Sequence, residues 1–427
     1  MLTFMAVSAV AFLVLGLPFV VLILASLILA LLIFLPELDM MMLMQQFLTG
    51  FTPATFAAVP MFILAAAIIM EGQSANRLVN FVRAFLGHIP GGLPIVTSAS
   101  CTLFGSVSGS TQATVAAIGG PMRPMLLKAG YPDSFTMGLI INSSDIAILI
   151  PPSIAAIIYG VITKTSIGQL FLAGIGPGVL VFVLFSIYCF FYSKIRKIGL
   201  LPKASWAERR DAIKKGVLLL GFPLIIMGGI YTGTFTPTEA AAVSVVYALV
   251  LEGLVYRSLS FANVPRFLLS TSVITAVVYV LVGAGNAIAK MLVWIQVPQD
   301  VMPFLFGGDP SSLKLIIMIN IAYFIAGMFT SPTVAMYILT PFYMAPAAQA
   351  GINPIFLGTL VILQAGIASA TPPFGCDIFT AMMLFRRPYL EVIRHTPPFI
   401  AILLLVLVLI ITFPDIALFI PRHAFGS

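Results

Sequence analysis

The sequence predicts an all-α polytopic membrane protein made of two inverted repeats, each with a re-entrant hairpin and a broken helix. Three observations carry that prediction. The chain is 60% hydrophobic and only 8% charged, where a soluble protein has about 25% charged residues. Apolar runs long enough to cross a bilayer, at about 20 residues per crossing, recur along its length. Two of these runs contain adjacent prolines at matching places, Pro151-Pro152 and Pro372-Pro373.

Taken in order, the apolar runs fall at 17–35, 54–72, 133–160, 168–193, 216–235, 238–256, 271–295, 354–385 and 398–420. Residues 1–15 form a further short crossing, separated from the next by Gly16 and Pro18. Met1 is followed by no basic region and no small-residue cleavage site, so this stretch reads as membrane helix and not as a cleaved signal. The segment 194–215, KIRKIGLLPKASWAERRDAIKK, has eight Lys or Arg against Glu208 and Asp211, which places it in the cytoplasm. Part of it has the composition of a helix lying along the interface.

Counting crossings outward from that connector puts the Arg257–Arg266 segment, residues 122–128 and Arg386–Arg387 on the cytoplasmic side. The segments 36–50, 296–313 and 341–353 contain no Lys or Arg and fall outside, whereas Lys164 is the one basic residue that lands outside. This sidedness requires 89–120 and 314–340 to enter and leave from one face as hairpins. Both hold small, hydroxylated and helix-breaking residues mid-segment, FGSVSGSTQAT and AGMFTSPTVA. Unwound backbone survives at membrane depth only where protein or a water-filled cavity satisfies it. The alternative is a pair of plain helices with Gly/Ser packing faces.

A repeat favours the hairpins. Sliding the chain on itself by 221 residues gives eleven identities over 108–157, including Ser110 on Ser331, Ala129-Gly130 on Ala350-Gly351, and each proline pair on the other. Composition alone gives about five by chance. Five net crossings separate the proline pairs, an odd number, so the second copy is inverted. The organisation is a first repeat at 1–193, the basic connector at 194–215 and a second repeat at 216–427. Inverted repeats with broken helices point to a secondary transporter whose site lies near the midplane.

The chemistry of those breaks supports the same reading. Proline lacks an amide hydrogen and clashes with the preceding turn, so each pair frees carbonyl oxygens just before it. Those carbonyls, with neighbouring hydroxyls, make a cage that suits a monovalent cation such as Na⁺ better than a divalent metal. Half-helix N-termini aimed at the centre favour an anionic substrate. Asp145 and Asp377 are costly in hydrocarbon and are functional candidates, weighed against structural caps of nearby amides. Lys290 more simply snorkels from a tilted helix, and Glu71 and Glu239 read as interfacial or capping residues. The three cysteines and three histidines form no CxxC or HExxH pattern, and there is no Walker A motif, so neither a metal centre nor an ATPase is indicated. The net charge of +7 is the cytoplasmic-loop bias of a membrane protein, with no nucleic acid implied. An ion channel remains the alternative from another class, to be separated by saturable, ion-coupled uptake.

Four stretches carry a resemblance: GTFTPTEAAAVSVVYAL (233–249), GYPDSFTMGLIINSSDIAILIPPS (130–153), SVSGSTQATVAAIG (106–119) and ASATPPFG (368–375). They resemble the large membrane subunit of tripartite ATP-independent periplasmic (TRAP) transporters, over nearly the whole chain. Within that family the sequence looks most like the sialic-acid branch, with C4-dicarboxylates or another organic acid as the alternative cargo. The resemblance implies an elevator-type fold of the ion-transporter superfamily kind in the bacterial inner membrane. It also implies a separate small four-helix membrane subunit, a periplasmic substrate-binding protein, and Na⁺ as the coupling ion, with no organic cofactor. Carried onto this sequence, one Na⁺ site is expected at Gly105, Ser106, Ser108, Gly109, Ser144 and Asp145. A second is expected at Gly327, Thr330, Ser331, Thr333, Gly366, Ala370 and Thr371, with substrate against Ser110, Thr111, Pro152, Ser153 and Pro373. The TPTE segment is a family mark whose physical role is a helix start: Thr236 caps, Pro237 sits at the first helical position and Glu239 closes a capping box.

Overall fold

The computed structural model describes residues 19–37, 39–198, 201–294 and 311–425, with scattered positions between Phe4 and Leu17. Most of the short crossing expected at 1–15, and most of the outer loop expected at 296–313, lie outside the described residues.

Among the described residues all regular structure is helical. The first half runs α1 (Phe19–Phe34), α2 (Met40–Thr49), α3 (Ala58–Glu71), α4 (Ser74–Leu86), α5 (Gly92–Ser108), α6 (Thr111–Lys128), α7 (Asp133–Ser144), α8 (Ile154–Thr163) and α9 (Ile167–Arg196). The connector then forms α10 (Trp206–Gly216), which leads into α11 (Gly221–Tyr231). The rest comprises α12 (Pro237–Leu249), α13 (Val264–Trp294), α14 (Ser312–Phe329), α15 (Pro332–Gln349), α16 (Pro354–Ser369), α17 (Cys376–Phe385), α18 (Tyr389–Ile393), α19 (Thr396–Thr412) and α20 (Asp415–Phe425). Among these residues six helical stretches are long and apolar enough to span a bilayer, and the bent pair α19–α20 makes a seventh.

Several expectations change. The final helix expected at 398–420 is two helices bent by 55°, because Pro414 has no amide hydrogen to continue the ladder. Both hairpins outrun their expected ends: the second arms reach Lys128 and Gln349, although Pro121, Pro124, Pro341 and Pro346 lie inside them. The outer segment 36–50 contains α2, started by Asp39, whose carboxylate accepts from the Met41 amide at 2.8 Å. Residues 74–86, assigned to no crossing, form α4, amphipathic and packed against α5 and α10. The TPTE helix start is present in full: the Thr236 amide donates to the Glu239 carboxylate at 2.8 Å and the Glu239 amide to the Thr236 hydroxyl at 3.2 Å.

The packing exchanges partners between the halves. The arms α5 and α6 pack on each other and on α7, as α14 and α15 pack on each other and on α16. The second arm α6 also packs on α17, and its counterpart α15 packs on α8. Likewise α7 packs on α19, and α16 on α9. Around this hairpin-and-broken-helix unit stand α3, α12 and α13, with α3 packed on each of the other two.

Polar ties fix the ends of the unit. Arg123 of α6 donates twice to the Asp133 carboxylate, at 2.7 Å each, and Arg387 reaches the same carboxylate at 3.0 Å. The two basic segments assigned to the cytoplasmic side therefore meet at one point. Glu252, fully buried, accepts from the amides of Gln73 and Ser74 at 3.2 and 3.1 Å. It thereby satisfies the orphan donors at the start of α4 from the far end of α12's chain segment.

Candidate functional site

The site is built where two helices stop. α7 ends at Ser144, one 3₁₀ turn covers Asp145–Ile148, and residues 149–153 leave the helix before α8 begins. The Ser153 hydroxyl accepts from the Ala156 amide at 3.2 Å and so caps α8. α16 ends at Ser369, and residues 370–375 are non-helical before α17. Each gap contains its proline pair, as the loss of two amide donors requires.

A hairpin tip lies beside each break. Gly105 of α5 faces Ala147 so closely that a Cβ on it would stand 2.5 Å from the Ala147 Cα. Gly109 ends the arm in the left-handed region, at φ +58°, where glycine carries no steric penalty. Its carbonyl accepts from the Ile154 amide at 3.4 Å, and a Cβ on it would stand 2.6 Å from the Pro152 oxygen. In the second half a Cβ on Gly327 would stand 2.5 Å from the Ala368 Cβ. Ala147 and Ala368 are equivalent under the 221-residue shift, so both first arms press on the same point of their broken helices.

The two breaks are joined through a buried polar chain. Thr111, at the start of α6, donates to Asp377 Oδ1 at 2.8 Å. Ser369 Oγ lies 2.7 Å from Asp377 Oδ2, 3.2 Å from Asp145 Oδ1 and 2.7 Å from the Gly366 carbonyl. Both carboxyl groups are buried and interact with each other. Counting hydrogens is informative here. Ser369 has one proton for three acceptors, and Asp145 Oδ2 has no partner at all. Two buried carboxyls thus share the donors of two hydroxyls, which is a deficit of positive charge. Buried ionised groups are stable only when paired, so this cluster suits a monovalent cation or a retained proton.

The expected first Na⁺ group is brought together. Gly105, Gly109 and Asp145 surround the break, while Ser106 and Ser144 turn their hydroxyls to the Leu103 and Ile141 carbonyls, at 2.6 and 2.5 Å. Ser108 is shared between the Ser110 carbonyl and the Thr114 hydroxyl. The second group divides. Thr330, Ser331 and Thr333 lie at the α14–α15 tip, and the Thr371 hydroxyl donates to the Ile367 carbonyl at 2.6 Å, next to Ala370. Gly366 instead faces the first break, where a Cβ would stand 2.8 Å from Ile148 Cδ1 and 3.6 Å from Asp145 Cβ.

A cavity of about 750 Å³ lies between the two tips and the surrounding α3 and α13. Ser110 and Thr111 line it with Ser331, Pro332 and Thr333. Of the other residues expected to touch substrate, Pro152 and Ser153 are buried behind the first tip, and Pro373 is exposed outside the cavity wall. Among the lining groups that were not expected site residues are Glu71, Gln112, Arg266, Ser270 and Cys376. Arg266 reads in sequence as one more cytoplasmic loop charge. Its position two residues into α13, on a helix that faces the tips, is the signal that distinguishes it. Ser369 is one of the hydroxyls just before the second proline pair, but its place between Asp145 and Asp377 appears only once the halves pack.

Comparison with known proteins agrees with this architecture. The sequence matches the family Tripartite ATP-independent periplasmic transporter, DctM component, over residues 6–416. It is 52% identical over 427 residues to the ectoine TRAP transporter large permease TeaC of Halomonas elongata, covering 100% of both chains. It is 54% identical over 385 residues to the ectoine/5-hydroxyectoine large permease UehC of Ruegeria pomeroyi, covering 90% of each. The sialic acid large permease SiaM of Vibrio cholerae is 35% identical over 382 residues, again 90% of each chain. The expected likeness to the sialic-acid branch is thereby corrected: the ectoine permeases are far more similar, at 52 and 54% against 35%. In structure, the YdaH transporter of Alcanivorax borkumensis, reported to have an unusual topology, superimposes with a TM-score of 0.61 over 86% of both chains at 16% identity, which is a likeness of fold. The chain belongs to the DctM family and is the large permease component of a tripartite ATP-independent periplasmic transporter.

Proposed function

We propose that this permease imports ectoine, or a compact zwitterionic carboxylate like it, by coupling to Na⁺. Large permeases of this family work in the inner membrane with a periplasmic binding protein and a small membrane subunit. The observation that carries the reading is the cavity in which both hairpin tips meet against α3 and α13. The choice of cargo rests on the ectoine permeases at 52 and 54% identity.

Ectoine carries a carboxylate and a ring amidinium, so its site needs donors and acceptors together. The cavity offers the hydroxyls of Ser110, Thr111 and Thr333, the Gln112 amide, and one charge of each sign, Arg266 and Glu71. In this reading one Na⁺ sits by Gly105, Ser106, Ser108, Gly109, Ser144 and Asp145, where Asp145 Oδ2 is without a hydrogen-bond partner. The other sits by Gly327, Thr330, Ser331, Thr333, Ala370 and Thr371, with Gly366 toward the first. The hairpin-and-broken-helix unit would travel as a body against α3, α12 and α13, in an elevator motion. The ties through Asp133 and through Asp377 support its moving as one piece.

The test is uptake of labelled ectoine into proteoliposomes holding the permease and its small subunit, with the binding protein outside. Replacing external Na⁺ by K⁺ is expected to reduce uptake to background. Undiminished uptake in K⁺ removes the coupling. No uptake of labelled ectoine in vesicles that accumulate a labelled C4-dicarboxylate reassigns the cargo.

A further inference from the structure

We propose that the cytoplasmic face holds a binding site for the phosphate of an anionic phospholipid, between α4 and α10. This site is separate from the transport cavity and does not rest on the reading of the cargo. A pocket of about 580 Å³ lies there, lined by four cations, Arg77, Arg83, Lys203 and Lys215, and two carboxylates, Glu208 and Asp211.

Both carboxylates are already engaged. Glu208 accepts from the Ser205 amide at 2.7 Å and from its hydroxyl at 2.9 Å, closing the capping box of α10. Asp211 takes Lys215 at 2.7 Å. Arg77 donates to Gln73 at 3.1 Å and stacks 3.9 Å above the Tyr256 ring, but its Nε is buried with no partner. The side chains of Arg83 and Lys203 make no hydrogen bond or ion pair among the described residues; Glu208 is only within electrostatic reach of Arg83. The pocket therefore presents two uncommitted cations, Arg83 and Lys203, with the Arg77 guanidinium beside them. Phosphate oxygens satisfy that set, since guanidinium and ammonium donors bind them through charge-assisted hydrogen bonds.

The setting selects a lipid as the source of the phosphate. α10 continues into α11, and Trp206–Tyr231 is long and apolar enough to span, so the pocket lies where the chain enters the bilayer. Trp206, beside it, is 74% exposed, as expected of an aromatic anchor at headgroup depth. The basic connector puts this end on the cytoplasmic side, whose leaflet carries anionic lipid. Each basic residue near such a surface adds about a factor of five in affinity.

The experiment uses the permease assembled with its small subunit, delipidated in detergent, and follows thermal unfolding on adding phosphatidylglycerol, phosphatidylcholine or inorganic phosphate. Phosphatidylglycerol is expected to raise the midpoint by several degrees and phosphatidylcholine to leave it unchanged. R83Q/K203Q is expected to bind phosphatidylglycerol roughly thirtyfold more weakly, while R83K/K203R, which keeps both charges, retains the shift. The proposal is overturned if the two lipids act alike, or if R83Q/K203Q responds as the wild type does. It is overturned as a lipid site if inorganic phosphate alone reproduces the shift.

Discussion

The two hairpin tips occupy equivalent places in the two halves and are held in different ways. The first is tied across elements: Thr111 donates to Asp377 of the other half, and the Gly109 carbonyl takes the Ile154 amide. The second is satisfied at home: Thr330 donates to the Ala326 carbonyl of its own arm, and Ser331 makes no capping bond. The difference teaches how a symmetric scaffold can carry an asymmetric task. Asp145 falls on Gly366 and Asp377 on Ala156 under the 221-residue shift, so each carboxylate exists in one copy only. One tip is thereby built into the centre, and the other is left free of it.

The comparison is broken most severely at Asp377, which anchors the first tip and takes Ser369 as well. Asp377→Ala is expected to lower the initial uptake rate at least a hundredfold in proteoliposomes. It leaves the buried Thr111 hydroxyl without its acceptor, worth about 1–3 kcal/mol when unsatisfied, while Ser369 keeps the Gly366 carbonyl and Asp145. Asp377→Asn keeps the shape and is expected to retain more stability than uptake. Wild-type uptake in both variants would show that the link between the halves is idle.

A smaller effect separates the tips directly. Thr111→Val removes a buried bond to a carboxylate and is expected to cost about 1.5–3 kcal/mol, with a correspondingly lower unfolding midpoint. Thr330→Val removes bonds made within one arm at the edge of a cavity, and is expected to stay within about 0.5 kcal/mol. Equal losses in a thermal melt would mean that the second tip is as firmly held as the first.

The parts legible in the sequence are those with a local physical signature. The diproline breaks could be read because two absent amide donors must interrupt a helix wherever they fall. The capping box at Thr236–Glu239 follows from spacing alone. The bend at Pro414 carried the same signature, but the continuous apolar run around it obscured it. The chain from Thr111 through Asp377 and Ser369 to Asp145 was not legible, because its members lie 266 and 224 positions apart and meet only once the halves pack. Arg266 was hidden for a related reason: a charge at a helix start reads as loop until the facing element is known. The sialic-acid expectation failed because most of the stretches it was read from lie at the hairpins and breaks, whereas a cavity-lining group such as Arg266 carries no motif.

The finest distinction lies in one hydroxyl on each side. Ser110 and Ser331 align under the shift, and both precede a second arm. Ser110 accepts from the Ala113 amide at 3.4 Å and so caps its helix. Ser331 makes no such bond, and Pro332 after it supplies one fewer amide to cap. Ser110→Ala is therefore expected to cost about 0.5–1 kcal/mol of stability, and Ser331→Ala close to none. The melting curves check that difference. Because the Ser331 hydroxyl has little structural role to lose, a fall in uptake by Ser331→Ala at an unchanged midpoint reports contact with ion or cargo. If uptake and midpoint are both unchanged, Ser331 has no part in the second site, and the weight there falls on Thr330, Thr333 and the carbonyls before Pro372.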